Sequence, residues 1–542
     1  MVIEVILGAL GLLVGVYIWF QWRIRYWADK GVPYDSDVTF PLGNDFVAHK
    51  KVLLRQKNVA YIIQDQYNQF KNHPFFGVFG PFGSPCIVIN DPVLIRAILS
   101  KDFDHFVDRF GDLNPFNNNN AETFTDAIWQ KQLIFLRGEL WKDVRSTFSP
   151  IFTSGKMKLM MHFMKAISLK LTDEIRKSAD EKVPIDLKEI FGKFSMDTIA
   201  TCAFGVDSGS FMAKEESDFV KNAKAVFTRT AKDQFKLFCS LIPGLNFICK
   251  ALKMSFFKPD EAMFFYATIS STIQHRRETK TRKNDLIDMM IDAIEANKKS
   301  VGRCEKPPED TDEFDLDSRL QHKVKNGAID ELVVVATALI ILVAGYDATA
   351  MTITYCAYQL AKNQDVQDEL LAEIDEVMSN LEADQDFPDY TTVMGMSYLD
   401  AVLQETLRMH TPLPVLRRVC VKEYKIPGHN VVIPKGSNVT VPVHAIHSDE
   451  RYYPNPEKFN PKHFAPEAVS QRPPYTFLSF GQGPRSCIGM RFALLEAKVG
   501  LIAVLSKFRF QTCPQTPERP QRAKNMFLGN PNETLWVQMA AR

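Results

Sequence analysis

A single cysteine near the C-terminus stands in a loop whose composition suits a metal-bound thiolate. Residues 480–489 read Phe-Gly-Gln-Gly-Pro-Arg-Ser-Cys-Ile-Gly, with Cys487 just before a predicted helix, Met490 to Leu505. Gly481 and Gly483 permit a sharp hairpin, and the N–H groups that open the helix are expected to lower the thiol pKa. A lone thiolate held in this way can supply the sulfur ligand of haem iron. The alternative is a buried structural cysteine in a glycine-rich turn.

Three neighbours of the cysteine have side chains suited to a flat, anionic cofactor. Phe480 can shield the sulfur from water, Arg485 can pair with a carboxylate, and Gly489 leaves room for a planar ligand. The pattern Phe, two residues, Gly, one, Arg, one, Cys, one, Gly resembles the haem-binding signature of the cytochrome P-450 haem-thiolate monooxygenases. The resemblance implies haem b (iron protoporphyrin IX) with Cys487 as its axial ligand.

A long apolar helix is predicted over residues 331–360, and it contains the unusual sequence Ala-Gly-Tyr-Asp-Ala-Thr from position 344. A glycine costs about 1 kcal/mol in a helix relative to alanine, and a buried carboxylate is costly without a partner. The resemblance implies that this helix crosses over the haem, with Gly345 opening a groove for oxygen and Asp347 delivering protons. A generic buried helix is the alternative.

The family usually places a threonine directly after that acid, and this chain departs from the pattern. Ala348 follows Asp347, and Thr349 comes one residue later, about 100° further round the helix. Thr349 is the candidate catalytic hydroxyl if the helix is locally distorted, for example by a π-bulge. Otherwise the hydroxyl is missing; Thr352 lies on the face of Ala348, one turn away.

Further motifs match the family by order and spacing. Glu405 and Arg408 are neighbours on one helix face and resemble the family's structural Glu-x-x-Arg pair. His463 stands where a third member, an arginine, is usual, and as a neutral ring it is expected to bind Glu405 more weakly. The resemblance assigns the haem propionates to a tryptophan and three arginines: Trp141, Arg145, Arg418 and Arg485.

Composition agrees with a large globular protein. The 542 residues are 46% hydrophobic and 24% charged, and Lys+Arg (65) nearly balances Asp+Glu (64), so nothing indicates a nucleic-acid partner. The nine cysteines are scattered without a C-x-x-C pair, which favours free thiols in a reducing compartment.

The N-terminus carries an apolar segment, Val5 to Phe20, followed by Arg23, Arg25 and Lys30. It predicts a membrane anchor with the N-terminus in the lumen and the catalytic domain in the cytosol. A cleavable signal peptide is the competing interpretation, but the basic start and small-residue cleavage site are lacking.

The patterns predict a mainly α protein with a small β part, and the resemblance gives it the P-450 fold. The expected domains are an anchor (1–30), a proline-containing hinge (31–45) and a haem-thiolate catalytic domain (46–542). The helices are long, while the strands expected at Cys86–Ile89, Val431–Ile433, Asn438–Val443 and Leu535–Met539 are short.

The resemblance implies a monooxygenase of the endoplasmic reticulum membrane, similar to insect microsomal detoxification enzymes. Its electrons would come from an NADPH-dependent flavoprotein reductase, with cytochrome b5 as a second donor, and its substrates would be lipophilic. Phe106–Phe124, Leu237–Phe257, Tyr346 and the Phe527-Leu528 turn are expected to line the pocket. A haem-thiolate isomerase or dehydratase acting on hydroperoxides and a non-catalytic haem protein are the alternatives.

Overall fold

The computed structural model describes residues 2–44, 56–111, 124–211, 217–227, 259–283, 285–288, 290–292, 295, 331–524 and 529–542. Helices dominate these residues, and the strands form small sheets, which confirms the predicted mainly α class with a minor β part. Leu237–Phe257, residues 112–123, residues 300–327 and the Phe527-Leu528 turn lie outside the described residues, so their predicted roles stay predictions.

The described helices divide into two groups, those before residue 280 and those after residue 330. Those of the first half are α1 (Val2–Arg23), α2 (Val59–Phe70), α3 (Pro92–Arg96), α4 (Phe124–Gln130), α5 (Gly138–Phe148), α6 (Ser154–Asp180), α7 (Leu187–Ile199), α8 (Asp218–Phe227) and α9 (Pro259–Thr279). Those of the second half are α10 (Glu331–Lys362), α11 (Gln364–Ser379), α12 (Tyr390–Gly395), α13 (Ser397–Met409), α14 (Val443–His447), α15 (Pro466–Gln471) and α16 (Met490–Leu505).

Three sheets are formed by the described strands. The four-stranded sheet has the order β1 (Phe75–Phe79), β2 (Pro85–Ile89), β7 (Asn438–Val441), β4 (Leu416–Val419), with β2 and β7 parallel and the outer pairs antiparallel. The second sheet has the order β3 (Ile185–Asp186), β9 (Trp536–Ala541), β8 (Phe508–Gln511), and the third pairs β5 (Tyr424–Lys425) with β6 (Val432–Ile433). The four predicted strands correspond to β2, β6, β7 and β9, with their ends shifted by one or two residues.

Helix α10 forms the centre of the largest hydrophobic core. It packs along α7, and most of its apolar residues are buried. A Cβ at Gly345 would lie 3.0 Å from the δ-methyl of Ile199, so the glycine lets the two helices approach closely. Tyr346 packs against the same helix, near Gly192, rather than toward the accessible face of α10 described below.

One predicted helix is interrupted. The pattern from Asp260 to Asn297 suggests a continuous helix, but α9 ends at Thr279 and Lys280 adopts a left-handed backbone with φ of 54°. The turn is fixed by Arg276, which is buried and pairs with Asp285 and Asp288 beyond the break. This buried charge network outweighs local helix propensity.

Helix α1 is apolar and its side chains are largely exposed, whereas the segment after it is anchored in the protein core. By length and composition, two described segments could cross a membrane: Ile6–Lys30, and Leu332–Lys362 within the buried α10. Trp27 is fully buried, its Nε1 donates to the carbonyl of Val78 at 3.1 Å, and its ring covers Gly77 on β1. The exit from α1 is therefore part of the second hydrophobic core.

Candidate haem-binding site

The loop before α16 is a tight hairpin around the cysteine. Gly481 and Gly483 have φ of 69° and 73°, and a Cβ at Gly483 would overlap the carbonyl oxygen of Leu99. The N–H of Cys487 donates to the carbonyl of Phe480 at 2.8 Å, which closes the loop. Both glycines are thus required by backbone conformation, and that at 483 also by the close approach of another chain segment.

The cysteine side chain is accessible although many protein atoms surround it. Cys487 has an exposed surface, yet burial is the largest influence on the pKa of its thiol and raises it. The backbone N–H of Gly489, Arg145 and Arg109 act in the opposite direction and lower the thiol pKa. The N–H at the start of the helix thus lowers the thiol pKa as predicted, but burial outweighs it among the protein atoms.

Buried guanidinium groups surround this loop. Arg145 donates to the carbonyl of Ser486 at 3.0 Å, and Arg109 donates to the carbonyl of Arg485 at 2.6 Å. The guanidinium carbon of Arg485 lies 3.9 Å from the ring centroid of Trp141, a cation–π contact. Trp141 and Arg145 share one face of α5 at i, i+4 spacing, so the helix directs both toward the cysteine loop.

The charges in this cluster repel one another. Burial is the first cause that lowers the pKa of Arg109 to about 10, of Arg418 to about 9 and of Arg485 to about 8, and neighbouring arginines lower each further. The Nε and one terminal nitrogen of Arg418 and the Nε of Arg109 are buried and have no hydrogen-bond partner among the residues that the structure describes. Unsatisfied, crowded cations fit an anionic group with several acceptor oxygens, as the two carboxylates of a haem supply.

The structure brings the predicted cofactor residues into one region and adds another residue. Cys487, Trp141, Arg145 and Arg485 are linked by the contacts above, and Arg418 on β4 lies close enough to Arg109 for their charges to interact. Phe480 is half-buried beside the cysteine. The sequence reasoning missed Arg109, which stands in no recognised motif and reaches the site across 376 residues of chain.

One narrow face of helix α10 has side chains that are accessible. Ala344 is exposed and Ala348 is half-exposed, four residues apart on one face, whereas Thr349 is only 4% exposed. The described helix is α-helical from 331 to 362, without a π-bulge. The distortion that would bring Thr349 to the face of Ala348 is therefore absent. The Thr352 hydroxyl donates to the carbonyl of Ala348 at 2.8 Å, one turn further along the same face.

A cysteine in a closed glycine hairpin, surrounded by buried arginines, is the arrangement expected of a haem-thiolate protein. The sequence model described as Cytochrome P450 matches residues 51–537. The chain belongs to the cytochrome P450 family. It therefore carries haem with a cysteine thiolate ligand and is an oxidoreductase of the monooxygenase class. The predicted family, fold and cofactor are confirmed.

The similar curated proteins are insect P450s. The chain is 32% identical to cytochrome P450 6k1 of Blattella germanica over 508 residues, 93% of this chain and 91% of that protein. It is 33% identical to cytochrome P450 6a2 of Drosophila melanogaster over 504 residues, 91% of each chain. It is 30% identical to cytochrome P450 6A1 of Musca domestica over 543 residues, 99% of this chain and 98% of that protein.

The acid of this P450's central helix has partners that the sequence did not reveal. Asp347 is 5% exposed, and its Oδ2 accepts from the side-chain amide of Asn530 at 2.8 Å. Lys188 Nζ lies 3.7 Å from Asp347 Oδ1 and donates to Asn530 Oδ1 at 3.0 Å, with 40% of its side chain exposed. A buried carboxylate is thus connected to the surface through one lysine.

The Glu405–Arg408 pair of this P450 is buried and bidentate. Arg408 donates from Nε and one terminal nitrogen to the two Glu405 oxygens at 2.7 and 2.8 Å. His463 Nδ1 lies 3.1 Å from Glu405 Oε1, and its Nε2 lies 2.9 Å from the carbonyl of Pro454. A carbonyl and an ionised carboxylate only accept, so both ring nitrogens of His463 face acceptor groups. That His463 binds Glu405 more weakly than an arginine would stays a prediction.

Proposed function

We propose that this P450 is an anchored, microsomal monooxygenase that inserts one oxygen atom from O2 into lipophilic substrates, with Cys487 as the axial ligand of its haem. The observation that carries the proposal is the accessible sulfur of Cys487 inside a ring of buried guanidinium groups. Lipophilic xenobiotics are the proposed substrate class, because the relatives are insect P450s of similar length.

Each residue of the site has a proposed role in holding the cofactor. The Cys487 sulfur would bind the iron, and Phe480 would shield it from water. The propionates would be held by Trp141 and by four arginines: Arg109, Arg145, Arg418 and Arg485. The buried nitrogens of Arg109 and Arg418 that have no hydrogen-bond partner among the described residues support this assignment. Bound haem supplies the electron transfer and oxygen chemistry, while the protein orients it and excludes water.

Proton delivery is the proposed task of the network on α10. Asp347 holds a carboxylate at the buried end, and the half-exposed Lys188 provides the connection to solvent. Gly345 keeps the helix close to α7, so that the face bearing Ala344 and Ala348 remains open. Because Ala348 has no hydroxyl, Thr352 or a substrate hydroxyl would have to complete the relay.

The proposed electron donor is an NADPH-dependent flavoprotein reductase, with cytochrome b5 as the second donor to test. Four basic residues are candidates for docking this donor: Lys131, Arg137, Lys142 and Arg491. Lys142 Nζ lies 3.0 Å from Glu139 Oε1, and Arg137 donates to the carbonyl of Phe110. Both cations therefore already interact with groups of the same chain. Arg491 is exposed at the start of α16, which makes it the preferred candidate.

The proposed location is the endoplasmic reticulum membrane, with α1 as the anchor and the catalytic domain in the cytosol. The apolar, outward-facing side chains of α1 support it, as does the basic residue Arg23 at its C-terminal end. The Asn438-Val-Thr and Asn532-Glu-Thr sequons should then carry no glycan in microsomes.

The test is reconstitution of the full-length protein with reductase, NADPH and a panel of lipophilic compounds. The native protein should give the red-shifted carbon monoxide band of a thiolate-bound haem and NADPH-dependent product. Cys487→Ser should lose the band, whereas Cys513→Ser, a partly accessible thiol elsewhere, should keep it. A retained band in Cys487→Ser would overturn the ligand assignment.

One observation favours a second function. The accessible face of α10 bears Ala348 where a hydroxyl is usual, and an isomerase or dehydratase of hydroperoxides needs no proton relay. Such an enzyme would convert a lipid hydroperoxide without reductase or NADPH. Turnover that depends on NADPH and reductase, with no hydroperoxide conversion in their absence, would reject the isomerase or dehydratase function.

A further inference from the structure

A buried asparagine near the C-terminus lies between the acid of α10 and the lysine that connects this acid to the surface. Asn530 is 1% exposed, and its side-chain amide donates to Asp347 Oδ2 at 2.8 Å. Lys188 Nζ donates to Asn530 Oδ1 at 3.0 Å, whereas it lies 3.7 Å from Asp347 Oδ1. The hydrogen bond of the lysine therefore goes to the amide, and its contact with the acid is an ion pair at a longer distance.

The chemistry of the three groups fixes the orientation of the amide. A lysine ammonium group only donates, so the amide atom that faces Lys188 must be the oxygen. The amide nitrogen then faces Asp347, whose carboxylate accepts. The opposite orientation would place the amide oxygen against the carboxylate and the amide nitrogen against the ammonium group, and neither contact would be a hydrogen bond. Asn530 thus binds an acceptor and a donor at the same time, in one arrangement.

The backbone that carries Asn530 is held by contacts of its own. The Asn530 carbonyl accepts from the N–H of Ala523 at 2.8 Å, and the Tyr355 hydroxyl donates to the carbonyl of Gly529 at 3.2 Å. Tyr355 lies on α10 eight residues after Asp347, so this helix contacts the segment twice, once through the acid and once through the tyrosine. The position of the amide is therefore supported independently of its bond to Asp347.

We propose that Asn530 is a positioning residue for proton delivery, which holds the Asp347 carboxylate in one orientation and keeps Lys188 beside it without a direct hydrogen bond. The proposal deepens the proposed monooxygenase function and rests on it. Without the amide, the carboxylate is free to rotate, and Lys188 has no other acceptor as close as the acid itself. A direct, hydrogen-bonded ion pair would stabilise the charged form of the acid, so proton delivery should slow and more reduced oxygen should leave as peroxide.

The first test replaces the amide with an apolar side chain of similar size in the reconstituted full-length protein. Asn530→Leu should raise the ratio of peroxide to product roughly fivefold, about 1 kcal/mol at 1.36 kcal/mol per tenfold. Product formation should also become more sensitive to deuterium oxide, because proton delivery then limits it more strongly. The carbon monoxide band and the KM for substrate should stay at native values, since the proposed role involves neither haem nor substrate binding. A native ratio or a native isotope effect would overturn the proposal.

The second test asks whether Asn530 acts through Asp347. Asp347→Ala removes the acid and should itself raise the ratio of peroxide to product. In this background Asn530→Leu should raise the ratio no further, because the group that the amide positions is already absent. A further rise in the double variant would mean that Asn530→Leu acts by loosening the structure, and the positioning role would be rejected.

A matched control replaces another asparagine of the same segment. Asn532 is exposed, so Asn532→Leu should leave both the ratio and the isotope effect at their native values. If Asn532→Leu raises the ratio as much as Asn530→Leu does, the effect belongs to the segment and not to the amide, and the proposal fails. Should Asn530→Leu fail to fold, Asn530→Ala, which adds no bulk to the site, carries the same decision.

Failure of this proposal and failure of the proposed function give different results. If the native protein forms no NADPH-dependent product, the monooxygenase function is wrong. The contact is then still tested by urea unfolding, in which Asn530→Leu and Asp347→Ala should shift the midpoint by amounts that do not add, because both remove the same hydrogen bond. If product forms but Asn530→Leu has the native ratio and the two midpoint shifts add, only the positioning role is wrong.

Discussion

His463 lies against Glu405 with its Nδ1 3.1 Å from the carboxylate, in the place where this family usually has an arginine. Its other nitrogen lies 2.9 Å from the carbonyl of Pro454, so the ring is held between two acceptor groups. Arg472 donates to the His463 carbonyl and stacks on Tyr453, which places a cation next to the ring. The histidine thus occupies the place of the usual arginine with a smaller, planar side chain.

Replacing His463 should destabilise the protein most when the new side chain cannot donate to Glu405. His463→Leu leaves one side of the buried Glu405 carboxylate without its donor, and should lower the free energy of unfolding by about 1–3 kcal/mol. His463→Arg should lose much less, because an arginine side chain can donate to the same carboxylate. Urea unfolding followed by circular dichroism measures both, with exposed Lys462→Met as the control. Equal stability of the leucine and native proteins would contradict the assignment.

The same cluster should make stability fall in acid. Although burial acts to raise it, Arg408 and His463 hold the pKa of Glu405 below its ordinary value in the folded protein. A carboxyl group with a lowered folded pKa stabilises the protein above its unfolded pKa, about 4.3, and this contribution is lost as the pH falls toward the folded value. The stability difference between the native protein and Glu405→Gln should therefore narrow below about pH 4.3. A stability difference between the two proteins that stays constant down to pH 3 would contradict this prediction.

Lys188 should affect proton supply rather than haem binding. Lys188→Met removes the cation that lies 3.7 Å from Asp347 Oδ1, and should slow product formation by about three- to tenfold while peroxide release rises. Lys193→Met is the matched control, since this lysine of the same helix pairs with Glu189 on the surface. The carbon monoxide band should be unchanged in both. Identical kinetics for the two variants would remove Lys188 from the relay.

The geometry of α10 gives opposite expectations for two adjacent positions. Ala348 is on the accessible face and Thr349 is buried, so Ala348→Thr should lower peroxide release per NADPH, whereas Thr349→Ala should do little. We expect a change of about two- to fivefold, the size of one hydrogen bond of about 0.5–1 kcal/mol. Peroxide and product are measured together for each variant. A sharp rise of peroxide in Thr349→Ala would mean that the helix distorts when substrate or oxygen binds.

The features that the sequence predicted correctly are those whose spacing is local. The hairpin around Cys487, the pair of Trp141 and Arg145 on α5 and the extent of α16 each follow from residues within a few turns. Local backbone rules and helical periodicity decide such features, because the interacting groups are close along the chain.

The missed residues act across long sequence separations. Arg109 meets Arg485 and Asn530 meets Asp347 only because the fold brings distant segments together. Neither residue type is unusual for a loop, so no local pattern marks it. The end of α9 at Thr279 has the same origin, since it depends on Arg276 finding two aspartates beyond the turn. Tertiary contacts, rather than propensity, decide these positions.

Trp27 packs over Gly77, so the segment that follows α1 is held rigidly against the catalytic domain instead of connecting to it flexibly. The indole is fully buried and bonded to the carbonyl of Val78, and Phe20 at the end of α1 is also buried. With α1 across a bilayer, a change in the tilt of the helix would apply a torque to the catalytic domain and rotate it by a similar angle. Bilayer thickness, which sets helix tilt, would then also set the height and orientation of the domain above the membrane surface.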